Sequence, residues 1–213
     1  MEFENVLDKI REEIEADDLV REKVLPLARA AVRSCSESIK MAHRGDFEKA
    51  KDALGEAHSI ITKANGEIAK SEYLAQSRIL DTAYQELAEA ANVLSILEKS
   101  EITPPTAFGI PSRAYLTGLG DTVGELRRAV LESLRADDID RGVKLLSAME
   151  NIFENLNDFD FPNALIPDLR RKCDVARNLI EKTRGDVTNA VRQNKMIQEL
   201  KKFEERLQEK NSS

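Results

Sequence analysis

Apolar residues recur along this chain three and four positions apart, and no segment shows the sustained alternation that a half-buried strand requires. Phe3, Val6, Leu7, Ile10 and Ile14 open the pattern, which predicts one long helix, or two stacked ones, over residues 3–42. Pro26 lies inside that span and is expected to kink or restart it, because proline supplies no amide hydrogen. Arg44-Gly45-Asp46 reads as a stop followed by an N-cap, with a second helix over 47–66. A third helix is predicted over 72–99, carrying Leu80, Ala83, Leu87, Ala91 and Leu94 on its apolar face. The segment SEITPPTAFGIPS, residues 100–112, is a loop by its prolines and glycine. A fourth helix over 113–135 carries the stripe Leu116, Leu119, Val123, Leu126 and Val130. Asp137 and Asp138 offer caps for a fifth helix to residue 157. NDFDFPNALIP is a second connection, and Pro167 suits the first turn of a sixth helix reaching 183. Arg184-Gly185-Asp186 is expected to break and recap the chain. A charged last helix then runs from about 186, its end fraying into solvent.

Composition sharpens this to an all-α fold. Aromatics are 5% of the 213 residues and Trp is absent, so burial rests on Leu, Ile, Val and Ala. Only 9 glycines and 6 prolines punctuate the chain, which implies long elements and few connections. No Gly/Ser-rich linker and no internal repeat divides it, so residues 1–213 read as a single domain. Cys35 and Cys173, far apart, suit free thiols in a reducing compartment. No apolar run approaches a membrane span, and the acidic amphipathic N-terminus is unlike a secretory signal. The expected location is cytoplasmic.

The net charge of −7 argues against a protein that coats nucleic acid passively, since such proteins are basic. It leaves room for an enzyme that meets nucleic acid at a confined site through metal ions. Glu86 and Glu89, three apart, share one face of the third helix beside its apolar stripe. Asp121 and Glu125, four apart, do the same on the fourth. Gly124 between them costs up to about 1 kcal/mol of helix propensity against alanine, which a closely packed neighbour or ligand would offset.

If the two helices pack as neighbours, the four acids converge at their seam, raise one another's pKa and favour a hard divalent cation. Magnesium suits a cluster without His or Cys, with manganese as its substitute. A bound ion polarises a phosphoryl oxygen, lowers the pKa of water and stabilises a leaving oxygen, which points to a phosphodiester substrate. The competing reading is a solvated helix face. With 39 acidic residues in the chain, such pairs also arise by chance. His43 and His58 are too few for a zinc site, and Asp17-Asp18, Asp137-Asp138-Asp140 and Asp158-Asp160 read as caps and surface. No P-loop, dinucleotide-binding glycine motif or nucleophile elbow is present.

At these two helices the sequence resembles the translin/translin-associated factor X (TRAX) family. YQELAEA, residues 84–90, is similar to the Q-E-x-x-E-A stretch of TRAX. YLTGLGDTVGELRR, residues 115–128, is similar to the most specific signature of the family. Weaker similarities lie in AHRGD at 42–46, in ESLRADDIDRG, and in RRKCDVARNLIEKTRG at 170–185, so that the resemblance spans residues 20–190.

The resemblance implies a seven-helix bundle that assembles into a hollow octamer. It further implies, for a TRAX-like member, a Mg²⁺-dependent endoribonuclease acting on RNA held inside the shell. The implied catalytic and metal-binding carboxylates are Glu86, Glu89, Asp121 and Glu125. Translin itself departs from this set and is the noncatalytic RNA-binding partner. A short 100–112 connection fits a compact member that forms a homo-oligomer without a separate translin. Arg127 and Arg128, one turn after the acids, are expected to bind substrate phosphate, with an ion pair to Glu125 or Glu132 as the equal alternative for Arg128. The expected substrate is single-stranded or frayed RNA, read with little sequence specificity. Two other classes remain: a noncatalytic translin-like scaffold that binds RNA or single-stranded DNA, and a purely structural bundle.

Overall fold

The computed structural model describes residues 2–211, and every element among them is helical. The helices are α1 (Glu2–His43), α2 (Phe47–Ile68), α3 (Glu72–Ala75), α4 (Asp81–Lys99), α5 (Ser112–Arg135), α6 (Ile139–Asn157) and α7 (Leu169–Asn211), with a 3₁₀ turn at Pro105–Ala107. The all-α, seven-helix expectation holds among the described residues, although two helices are bounded differently. None of these helices is long and apolar enough to cross a membrane.

The chain divides into two compact units, Met1–Thr122 and Val123–Ser213, and α5 contains the boundary. In the first unit, α1, α2 and α4 enclose a core that includes Ala31, Cys35, Leu54, Ile61, Leu87 and Val93. The five residues expected on the apolar face of α4 are all buried. Asp46 caps α2 by accepting from the Lys49 amide, after Gly45 turns the chain at φ +78°. The 100–111 connection is tied down by buried Asn92, whose Oδ1 accepts from the Thr103 amide at 3.1 Å. Tyr115 Oη in turn donates to the Thr103 carbonyl at 2.8 Å, which fixes the start of α5 to the same loop.

In the second unit, α6 packs against α7, and Leu145, Met149, Ile152 and Leu156 of α6 and Ala176 and Ile180 of α7 are buried. Asp138 caps α6 by accepting from the Arg141 amide at 3.1 Å, while Asp137 takes a left-handed turn at φ +59°. Glu150 and Arg184 join α6 to α7 at 2.6 Å.

α1 is the one long helix of the two forms expected, continuous through Pro26 without a restart. Three sequence expectations are corrected. The predicted 72–99 helix is two: the Ser77 hydroxyl donates to the Leu74 carbonyl and ends α3 after one turn. Pro167 lies two residues ahead of α7, which starts after Asp168 at φ +65°. Arg184-Gly185-Asp186 does not break the chain either, and α7 is one helix of 43 residues. Arg127 of α5 explains the last point. Its guanidinium donates to Thr183 Oγ1 at 2.6 Å and pairs with Asp186 Oδ2 at 3.0 Å, which brackets the glycine.

Candidate metal and RNA site

Glycine sets the spacing between α4 and α5. A Cβ added at Gly118 would lie 2.4 Å from the Gln85 carbonyl oxygen and 2.7 Å from Ala88 Cβ, so the two backbones meet where only glycine fits. One turn along α5, Gln85 Nε2 donates to Asp121 Oδ2 at 2.8 Å. Gly118 and this hydrogen bond fix the register of Asp121 against the 85–89 edge of α4. Of the two partners considered for Gly124, a packed helix is not what the structure shows, since nothing lies within 4 Å of a Cβ built there.

Glu86 and Glu89 are half-buried on that edge. Both act on Cys35 of α1, whose thiol is fully buried. Burial pushes its pKa up, and the two carboxylates push it further, to about 12. The two glutamates therefore share one field on the α1 side of α4. Glu125 follows Asp121 by one turn of α5 and belongs to the second unit. Glu86, Glu89, Asp121 and Glu125 are all engaged in polar or electrostatic interactions.

The donor chemistry suits magnesium: three carboxylates and an amide in one unit, with a fourth carboxylate on the same helix, and no imidazole among them. Among the described residues, however, no group of three or more His, Cys, Asp or Glu side chains stands close enough to hold a metal ion.

The two arginines differ. Arg127 is committed to Thr183 and Asp186 of α7. Arg128 is half exposed and ion-paired to Glu125 at 3.6 Å and Glu132 at 3.2 Å, the alternative foreseen for it. Sequence reasoning assigned no role to Gly118, Gln85 as a link, or Cys35. Gly118 and Gln85 stand inside the two quoted motifs, but which neighbour each would meet depends on the packing of α4 against α5.

Comparison with known proteins agrees with this architecture. The Translin family profile matches residues 6–187. An uncharacterised protein of Methanocaldococcus jannaschii is 33% identical over 189 residues, covering 88% of this chain and 83% of the relative. Among solved structures, AfC3PO in complex with duplex RNA is similar at TM-score 0.75 and 34% identity, over 86% of this chain and 95% of that one. The structure of AfC3PO on its own gives 0.76 and 32%, over 86% and 96%. NeC3PO in its apo form shares the fold, at TM-score 0.77 and 22% identity, over 86% and 96%.

Proposed function

The chain belongs to the Translin family, and from that premise we propose that it is an RNA-binding homo-oligomer whose TRAX-type subunit hydrolyses RNA phosphodiesters with magnesium held by Glu86, Glu89, Asp121 and Glu125. The observation that carries this reading is the Gln85–Asp121 hydrogen bond, which links the two carboxylate-bearing helices. The AfC3PO–duplex RNA complex supports RNA as the ligand, with single-stranded or frayed RNA as the proposed substrate. Assembly as a cytoplasmic octamer, without a separate translin, belongs to the same proposal.

Magnesium, when bound, supplies Lewis-acid polarisation of a phosphoryl oxygen and lowers the pKa of water at the scissile bond. The residues of the chain do the remainder. Gln85 aims Asp121 by holding one carboxylate oxygen, as an outer-shell partner orients a ligand. Gly118 keeps α4 and α5 at backbone contact, so that the carboxylates stay in register. Arg128 exchanges an exposed carboxylate partner for a substrate phosphate, a trade between similar charge-assisted bonds. Arg127 braces α5 against α7. Backbone and metal contacts carry little base information, so cleavage has weak sequence preference. Confinement in a closed shell lets a chain of net charge −7 retain RNA that its outer surface would repel.

The alternative reading is a noncatalytic RNA-binding scaffold of the translin type. The test is cleavage of a labelled RNA by the purified full chain with Mg²⁺ and with EDTA. Cutting that needs Mg²⁺ supports the nuclease. Binding without cutting at any Mg²⁺ concentration removes it in favour of the scaffold.

A further inference from the structure

Among the described residues, helix near each end of the chain carries a row of exposed apolar side chains. In the first five turns of α1, Phe3 is 74% exposed and Ile14 62%, with Leu7 and Ile10 also exposed. Packing begins only near Asp17, which accepts from Ser71 Oγ at 2.6 Å, and Val24 is the first fully buried side chain. Among the described residues Val187 is the last buried one of α7, and beyond it Met196, Leu200, Phe203 and Leu207 are exposed. That stretch also lies past residue 187, where the family match ends.

The two stripes match one another. Phe3, Leu7, Ile10 and Ile14 are spaced four, three and four, and so are Met196, Leu200, Phe203 and Leu207. This is the a/d spacing of a two-stranded coiled coil, four layers long. Net charges are opposite: nine acids against four bases over residues 2–23, and six bases against four acids over 188–211. The residues flanking the seams decide direction.

In a parallel pair with Leu7 opposite Leu200, the flanking contacts are Glu4 with Arg192, Arg11 with Glu199, and Asp18 with Arg206, three unlike pairs. An antiparallel pair sets Glu13 against Glu199 and Glu4 against Glu204. Like stripes in parallel also clash, through Glu13–Asp18 for α1 and Glu199–Glu204 for α7. Like stripes in antiparallel order make two unlike pairs, Glu4–Arg11 or Glu199–Arg206, but set like net charges together.

We propose that the first five turns of α1 form a parallel two-stranded coiled coil with the 188–211 extension of α7 from a second copy of the chain. The pairing buries both stripes and opposes acid to base along the flank that holds Glu4, Arg11 and Asp18. It deepens the homo-oligomer reading above and names the contact. The local pairs Arg11–Asp8 and Glu199–Lys202 are exposed and exchange readily for it.

The test uses full-length protein and sedimentation velocity. Arg11→Glu alone and Glu199→Arg alone each weaken assembly by about three- to tenfold in dissociation constant, and the double variant recovers the wild-type value. Failure of the double variant to recover overturns the pairing, and a Glu199→Arg loss rescued by Arg206→Glu instead assigns α7 to its own copy. As a second measurement, Leu7→Cys protein is mixed with Leu200→Cys protein under mild oxidation. A disulfide-linked dimer that forms in the mixture and not with either variant alone, joining position 7 of one chain to position 200 of the other, supports the parallel register, and its absence overturns it. Wild-type protein that stays monomeric removes both the pairing and the oligomer. Removal of 188–213 with assembly unchanged removes the pairing alone.

Discussion

The Gln85 amide donates to the Asp121 carboxylate across 2.8 Å, and this one bond joins the two helices whose acids make up the proposed metal site. It separates ligand from support experimentally. Glu89→Ala or Asp121→Ala removes a proposed ligand, and each is expected to reduce Mg²⁺-dependent RNA cleavage by about a hundredfold or more. Gln85→Ala leaves all four acids in place but removes the hydrogen bond that aims Asp121. Its expected effect is a Mg²⁺ midpoint raised by about tenfold to a hundredfold, with most of the rate recovered at saturating metal. The titrations are read from cleavage of a labelled RNA, and unchanged cutting by both alanine variants of the acids would take them out of the mechanism.

Gly118 and Gly124 lie in the same helix and predict opposite outcomes. A Cβ at 118 runs into backbone at 2.4 Å, which a side chain's flexibility does not relieve. Gly118→Ala is expected to force α4 and α5 apart and to destabilise by about 1–3 kcal/mol. At 124 the helix faces open space, and alanine gains helix propensity of up to about 1 kcal/mol. Urea unfolding of the two variants should therefore move in opposite directions from wild type. If Gly124→Ala stabilises the fold yet blocks RNA cleavage, position 124 faces the substrate.

Cys35 gives the proposed site an alkaline signature. Its thiol is pushed from 9.0 to about 12 in the folded protein by burial and by Glu86 and Glu89. Below pH 9 both folded and unfolded chains hold the proton, so this contribution to stability is complete. Between pH 9 and 12 the unfolded thiol ionises while the folded one does not, and stability falls by up to about 1.4 kcal/mol per pH unit. Cys35→Ala should flatten that slope. Native protein at pH 9 should also resist a thiol-labelling reagent at Cys35 until urea exposes it. Rapid native labelling there would contradict the burial described.

How much of this was legible in the sequence depended on range. Helix identity and most boundaries follow from local spacing, because an apolar stripe such as Leu80–Ala83–Leu87–Ala91–Leu94 needs no knowledge of its neighbours. Local signals failed where a distant residue overruled them. Arg184-Gly185-Asp186 has the composition of a stop, but Arg127, 56 residues earlier than Thr183, holds both flanks of the glycine. The carboxylates were visible as i,i+3 and i,i+4 pairs, and the family resemblance chose them from 39 acids. Gly118 was not singled out because its neighbours on α4 are about 30 residues away in sequence, and Gly124, the one flanked by acids, attracted the attention instead.

Arg127 offers the last test, since it has been assigned to the fold and not to RNA. Its guanidinium reaches Thr183 and Asp186 on consecutive sides of Gly185, where α7 has no side chain to pack and the propensity cost of glycine falls. Arg127→Ala removes two charge-assisted bonds from that turn, which then opens more often. Amide hydrogen exchange over residues 183–188 should accelerate by about tenfold or more, while exchange in α2, in the other unit, stays as it was. Arg127→Lys keeps the charge but not the fork that spans two partners, so it should recover little of the protection. Gly185→Ala in the Arg127→Ala background restores helix propensity at the weak turn and should slow exchange again. If Arg127→Ala leaves exchange at 183–188 unchanged and instead weakens RNA binding, the arginine serves the substrate and not α7.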